Sequence, residues 1–173
     1  SDLIDKIDTI VPGSGLFIDW NNDFDAPDGT ASLIAVLASW DWTVVYHLVE
    51  DDSGQMFPLY FLAGGDQVYI NTDDTTVGIY DQPSGNFREA VASVAARPAP
   101  RHIAITRNNS RLSISVNGGA VVTDATIGTT PPALTGVFLG SDVETGSSYM
   151  YGYIERFVVY PSVSDIELPN YSA

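Results

Sequence analysis

Cysteine is absent from this sequence, and lysine nearly so, since Lys6 stands alone. Without a thiol there is no disulfide framework, no thiolate nucleophile and no Cys-type zinc site. Two histidines, His47 and His102, are too few for a histidine-rich metal site by themselves. Long apolar runs are missing as well. The longest, ASLIAVLASW at 31–40, is followed by Asp41 and is about half of what a bilayer-spanning helix needs. No charged stretch followed by an apolar core opens the chain, so no leader peptide is expected in these residues. From Gly15 onward there is no long helical periodicity.

What the chain has in excess is acid. Of 173 residues, 22 are Asp or Glu against 7 Lys or Arg, a net charge of −15. The asymmetry is steep: residues 1–87 hold 15 acids and one base, and residues 88–173 hold 7 acids and 6 arginines. Such a surface repels phosphate backbones and anionic lipid, which excludes nucleic-acid binding and membrane insertion as expected functions. The carboxylates are expected either as a solvated acidic surface or as holders of a cation or a basic partner. Five arginines (Arg88, Arg97, Arg101, Arg107 and Arg111) crowd into 24 residues. They read either as scattered surface charges or as partners for the acids of the first half.

Residues 1–14 form the expected N-terminal arm or short helix. Ser1 and Asp2 are candidate caps, Leu3, Ile7, Ile10 and Val11 share one helical stripe, and Pro12-Gly13 ends it. Residues 15–173 read as one domain of about a dozen short apolar runs separated by Gly, Asn, Asp and Pro. That pattern predicts an all-β, two-sheet antiparallel jelly-roll sandwich. The clearest unit is RHIAITRNNSRLSISVNGG at 101–119. Leu112, Ile114 and Val116 alternate with Ser113, Ser115 and Asn117, which predicts one buried and one polar face. Asn108-Asn109-Ser110 and Asn117-Gly118-Gly119 supply the turns, because Asn and Gly tolerate positive φ. In the closing segment GYIERFVVYPSVSDIEL, Ile154 and Phe157 share a face only if a bulge falls near Glu155-Arg156. Pro161 ends the pairing there, and Ser164 with Glu167 reads as a capping box.

Three stretches carry a resemblance. RHIAITRNNSRLSISVNG is similar to a hairpin in which a His-containing strand leads to a strand ending in Asn-Gly. GVFLGSDVETGSSYMYGYIERFVVYPSVSDIEL and WDWTVVYHLV are similar to a closing segment and an early core strand. In this order they resemble laminin G-like domains of the concanavalin A-like lectin/glucanase superfamily. The chain departs from them at Pro100-Arg101, where the family has an aromatic, and it lacks the Glu-x-Asp-x-x-Glu strand of the glucanases. The resemblance implies a jelly roll and, among the superfamily's many activities, favours recognition.

Catalysis is not expected. The five glutamates (Glu50, Glu89, Glu144, Glu155 and Glu167) form no pair at strand spacing of the kind a glycosidase needs. Asp19, Asp23 and Asp25 read as turn residues. Sugar recognition would use aromatic platforms beside polar loops, and the candidates are Trp20, Trp40, Tyr80, Tyr149 and Tyr151, whereas Trp42 reads as core. Counting strand parity brings loops 21–30, 50–56, 72–76 and 141–149 to one end of the sandwich. Asp51, Asp52, Asp73, Asp74 and Asp142 are therefore candidate ligands for Ca²⁺, which the resemblance also implies; no cofactor is required. The expected function is a non-catalytic recognition or adhesion module binding surface glycan, acting outside the cell or at a cell surface. The alternative is a structural virion surface protein, with the arm mediating oligomer or particle assembly with a protein partner.

Overall fold

The computed structural model describes residues 16–18, 39–50, 56–63, 66–82, 87–128, 130, 136–139 and 152–173. Eleven strands are described: β1 Leu16–Ile18, β2 Trp42–Glu50, β3 Met56–Ala63, β4 Asp66–Thr72, β5 Thr76–Gln82, β6 Arg88–Ser93, β7 Arg101–Asn108, β8 Arg111–Val116, β9 Val122–Asp124, β10 Gly136–Leu139 and β11 Gly152–Pro161. They form a six-stranded sheet in the order β1-β11-β2-β7-β8-β9 and a five-stranded sheet in the order β10-β3-β4-β5-β6. Every pairing is antiparallel. The fold is the expected all-β jelly-roll sandwich. The expected N-terminal arm, residues 1–14, lies outside the described residues. The described helix, α1, sits instead near the C-terminus at Leu168–Tyr171.

Between the sheets lies a core built from the inward parity of each strand. Val44, Tyr46, Leu48, Val68, Ile70, Val77, Ile79, Ile103, Ile105, Leu112, Ile114 and Phe157 all belong to it. Each such side chain contributes roughly 1.5–3 kcal/mol by leaving water. Trp42 is buried there, as expected. The β7-β8-β9 meander forms with the expected turns. Asn108 Oδ1 accepts the N–H groups of Ser110 and Arg111, and Asn117 and Gly118 take positive φ of 51° and 67°. The closing strand carries the expected bulge: its register against β2 shifts between Ile154 and Arg156. Phe157 thereby enters the core while Val158 and Tyr160 face outward. Ser164 N–H and Oγ both donate to Glu167 Oε2, at 3.2 and 2.7 Å, which closes the turn that leads into α1.

One expectation for the meander is corrected. Ser113 and Ser115 do not form an exposed polar face; both are fully buried. The C-terminal segment folds back over them, and Ser115 Oγ lies 2.9 Å from Ser172 Oγ. Leu168 packs with Val45 and Ala104 in a second apolar cluster, with Val121, Tyr160, Val163 and Tyr171 around it. A sheet roofed on its outer side buries both parities of its strands, so alternation in the sequence no longer reports exposure.

Candidate functional site

Across the five-stranded sheet the register aligns one aromatic on each of four adjacent strands, and those of β3, β4 and β5 lie on the outer face. Phe138 on β10 pairs with Tyr60 on β3, Tyr60 with Tyr69 on β4, and Tyr69 with Tyr80 on β5. The strand partner of Tyr80 on β6 is Glu89, and Phe87, just before β6, continues the aromatic row. Antiparallel partners on one face stand about 5 Å apart, close enough for rings to touch. Tyr60 and Tyr69 stack with centroids 5.4 Å apart and planes 11° apart, and Tyr69 and Tyr80 at 5.2 Å and 15°. Phe87 follows Tyr80 at 6.2 Å with a 38° tilt. The two tyrosine pairs are offset stacks, in which each ring overlaps only part of its neighbour.

Small and polar residues frame the row. Gly78, on the same outward parity as Tyr80, leaves room for that ring. A Cβ at Gly78 would sit 2.7 Å from Tyr80 Cε2. Gln82 Nε2 donates to the Tyr69 hydroxyl at 3.0 Å, and Gln67 is the strand partner of Gln82. The row grades from Tyr60, 3% exposed, to Phe87, 52% exposed. Burial raises the Tyr80 phenol above its ordinary pKa, and the charges of Glu89 and Asp73 add to the rise, so Tyr80 stays a neutral hydroxyl. A strip of aromatic surface edged by hydroxyls and amides stacks against the apolar face of a pyranose and hydrogen-bonds its hydroxyls.

Of the platform residues expected from sequence, Tyr80 stands in this row. Trp40 does not serve as a platform. It is 2% exposed, its φ is +56°, and the Arg107 guanidinium lies over its ring at 4.9 Å. Arg107 also donates to the Trp40 carbonyl at 2.7 Å, which fixes that unusual backbone in place. Trp20, Tyr149 and Tyr151 lie outside the described residues. Tyr60, Tyr69 and Phe87 were missed. Each Tyr occupies the outward parity of its own strand, but only the register between strands shows that the three are neighbours.

The acidic end is partly as expected. Glu50 pairs with Gly152 across β2 and β11, and Thr72 Oγ1 donates to Glu50 Oε1. The strand ends flanking loops 51–55, 73–75 and 140–151 therefore meet. Two arginines meet there too. Arg97 and Arg101 each reach Glu50 Oε2 at 3.0 Å, all three side chains being buried. Asp73 Oδ1 accepts the N–H groups of Thr75 and Thr76 at 2.9 and 2.7 Å, closing the turn. Burial works to raise the Asp73 pKa, but these hydrogen bonds and Arg97 outweigh it and hold the carboxyl below its ordinary value. Asp74 Oδ1 accepts the Arg97 N–H at 3.3 Å. Both are occupied as turn and loop fasteners. Asp51, Asp52 and Asp142 lie outside the described residues, and among the described residues no cluster of three potential metal ligands occurs.

The opposite end has a matching device. Arg88 and Arg107 both pair with Asp81, with all three side chains fully buried. Burial pulls the Arg107 guanidinium down to about 10 against the attraction of Asp81. Arg111 pairs with Asp165 at 2.8 Å, in an orientation too bent for a hydrogen bond. All five clustered arginines therefore meet carboxylates within the chain, four of them on acids of the first half. They are not scattered surface charges. On the outer face of the six-stranded sheet, His47 and His102 are strand partners with rings stacked at 4.0 Å. A hollow of about 290 Å³ between Trp42, Tyr160, Pro161, Ser39 and Asp41 brings only one charged group, Asp41, to its lining.

No protein-family model matches the chain, and no curated protein matches it. Solved structures do. The CBM40 of the Ruminococcus gnavus IT-sialidase, bound to α2,6 sialyllactose, superposes with a TM-score of 0.74 at 18% identity, over 94% of this chain and 97% of that one. A mutant of the NanB sialidase from Streptococcus pneumoniae gives 0.71 at 17% identity, covering 92% of this chain and 27% of that one. Domains LG4-5 of the mouse laminin α1 chain give 0.58 at 11% identity, covering 75% of this chain and 37% of that one. At these identities the likeness is one of fold, the two-sheet jelly-roll sandwich.

Proposed function

We propose that this chain is a non-catalytic carbohydrate-binding module that holds a surface glycan across the accessible part of the aromatic row, Tyr69–Tyr80–Phe87, with Tyr60 buried behind Tyr69 as its support. The observation that carries the reading is the row itself: three tyrosines in register on adjacent strands, with Phe87 beside them, on an outer sheet face edged by amides. The likeness to a CBM40 in complex with a sialyllactose supports the carbohydrate class. Such a module acts outside the cell or at a cell surface. The structural likenesses give no support to the virion-subunit alternative. Oligomer formation through residues 1–14 and a Ca²⁺ site at Asp51, Asp52, Asp73, Asp74 and Asp142 stay separate proposals, since the arm and three of the five carboxylates lie outside the described residues.

The test is binding to a glycan array, followed by titration of the best hit with Tyr69→Ala and Tyr80→Ala. The reading expects binding by the native chain and loss of about tenfold or more in each variant, with melting temperature little changed. Undiminished binding in both variants would remove the row from the site.

A further inference from the structure

We propose that the glycan held by the aromatic row is uncharged, and that the row selects against sialylated chains. The proposal rests on the carbohydrate reading above and departs from the sialyllactose seen in the related CBM40 complex. A sialic-acid carboxylate gains most of its recognition from charge-assisted hydrogen bonds to cations, Arg above all. The sequence contains six arginines and one lysine, so the cations can be followed one by one. Arg97 and Arg101 are buried on Glu50 at one end of the sandwich. Arg88 and Arg107 are buried on Asp81 at the other. Arg111 is paired with Asp165, beneath the C-terminal segment. Arg156 donates to the Tyr160 hydroxyl at 3.1 Å and stands in the row Arg156–His47–His102, on the outer face of the opposite sheet. Lys6 lies outside the described residues. The outer faces of a sandwich point away from each other across two sheets, so Arg156 cannot reach a ligand on the aromatic row.

What stands near the row instead is negative or neutral. Glu89 is exposed and pairs with Tyr80 across β5 and β6. Glu89 and Asp73 both act on the Tyr80 phenol. The remaining outward neighbours on β4 and β5 are Gln67, Asn71, Thr76, Gly78 and Gln82. Amides meet sugar hydroxyls well and supply no counter-charge to a carboxylate. In a chain of net charge −15, an anionic ligand on this face approaches like charge and finds no described cation.

The test is an array on which each sialylated glycan is printed beside the same glycan after desialylation, probed with and without Ca²⁺ and at low and physiological salt. The expected result is that desialylated members of the pairs bind at least about threefold better at low salt, with the gap shrinking as salt screens the repulsion. Glu89→Gln should narrow that gap. Sialylated members outranking their desialylated partners, with or without Ca²⁺, would overturn the proposal and leave the carbohydrate reading intact. An array silent to both members would overturn the carbohydrate reading, and the proposal with it.

Discussion

The two outer faces of the sandwich are treated differently by the same chain. On the six-stranded sheet the outward residues Val45, Ala104, Ser113 and Ser115 are buried under the C-terminal segment, anchored by Leu168. On the five-stranded sheet the outward residues include a row of aromatics that runs from buried Tyr60 through half-buried Tyr69 and Tyr80 to exposed Phe87. Small and β-branched residues suit a face that another element will cover; large flat ones with polar edges suit a face that meets a ligand. The described helix packs on β7 and β8, and so belongs to the roofed side. One face has therefore become part of the fold, and the other carries the aromatic row that we propose as the glycan site.

Four perturbations probe that division, beginning with the core that both faces share. Asp81→Ala leaves two guanidinium groups buried without their carboxylate. The expected loss is about 3–5 kcal/mol, read by chemical denaturation, or no folded protein. Neither face survives that change. Leu168→Ala should cost about 2–3 kcal/mol and loosen the roof, seen as faster amide exchange in residues 163–173, while glycan binding persists. Loss of binding in that variant would mean the faces are not independent.

Third, acidification should act on the roofed face first. Burial, helped by the charges of His102 and Arg156, lowers the His47 pKa to about 4 against a hydrogen bond to the Tyr171 backbone that works to raise it. A histidine whose folded pKa lies below its unfolded value takes up more protons when unfolded. The stability it allows is therefore complete above about pH 6.5 and falls as pH drops toward 4. Amide exchange near Tyr171 should accelerate across that window, and His47→Phe should flatten the dependence. Fourth, and smallest in stability, Gly78→Ala pushes a Cβ into the Tyr80 ring. The ring can swing aside, so stability should move by less than about 1 kcal/mol, while affinity at the aromatic row falls about three- to tenfold as the stack is disturbed. A variant that unfolds instead would show that the row is structural.

Local chemistry was legible in the sequence; partnerships between strands were not. The meander, its Asn-Gly turn and the conditional bulge at Glu155-Arg156 follow from spacing within a few residues, and the structure has them. Trp40 reads ambiguously because its burial depends on Arg107, 67 residues away. The aromatic row was visible only as Tyr80, because Tyr60 and Tyr69 become its neighbours through register alone. Strand parity correctly gathered the ends of three acidic loops, yet it could not see that Arg97 and Arg101 arrive at Glu50 from the other half of the chain.

The central claim is that ligand is met on one face and not the other. Backbone amide shifts on titration with the best array hit test it most directly. The account predicts the largest shifts at residues 67–71, 78–82 and 87–91, with 43–47 and 102–106 unmoved. The largest shifts on β2 and β7, around the His47–His102 pair, would contradict it.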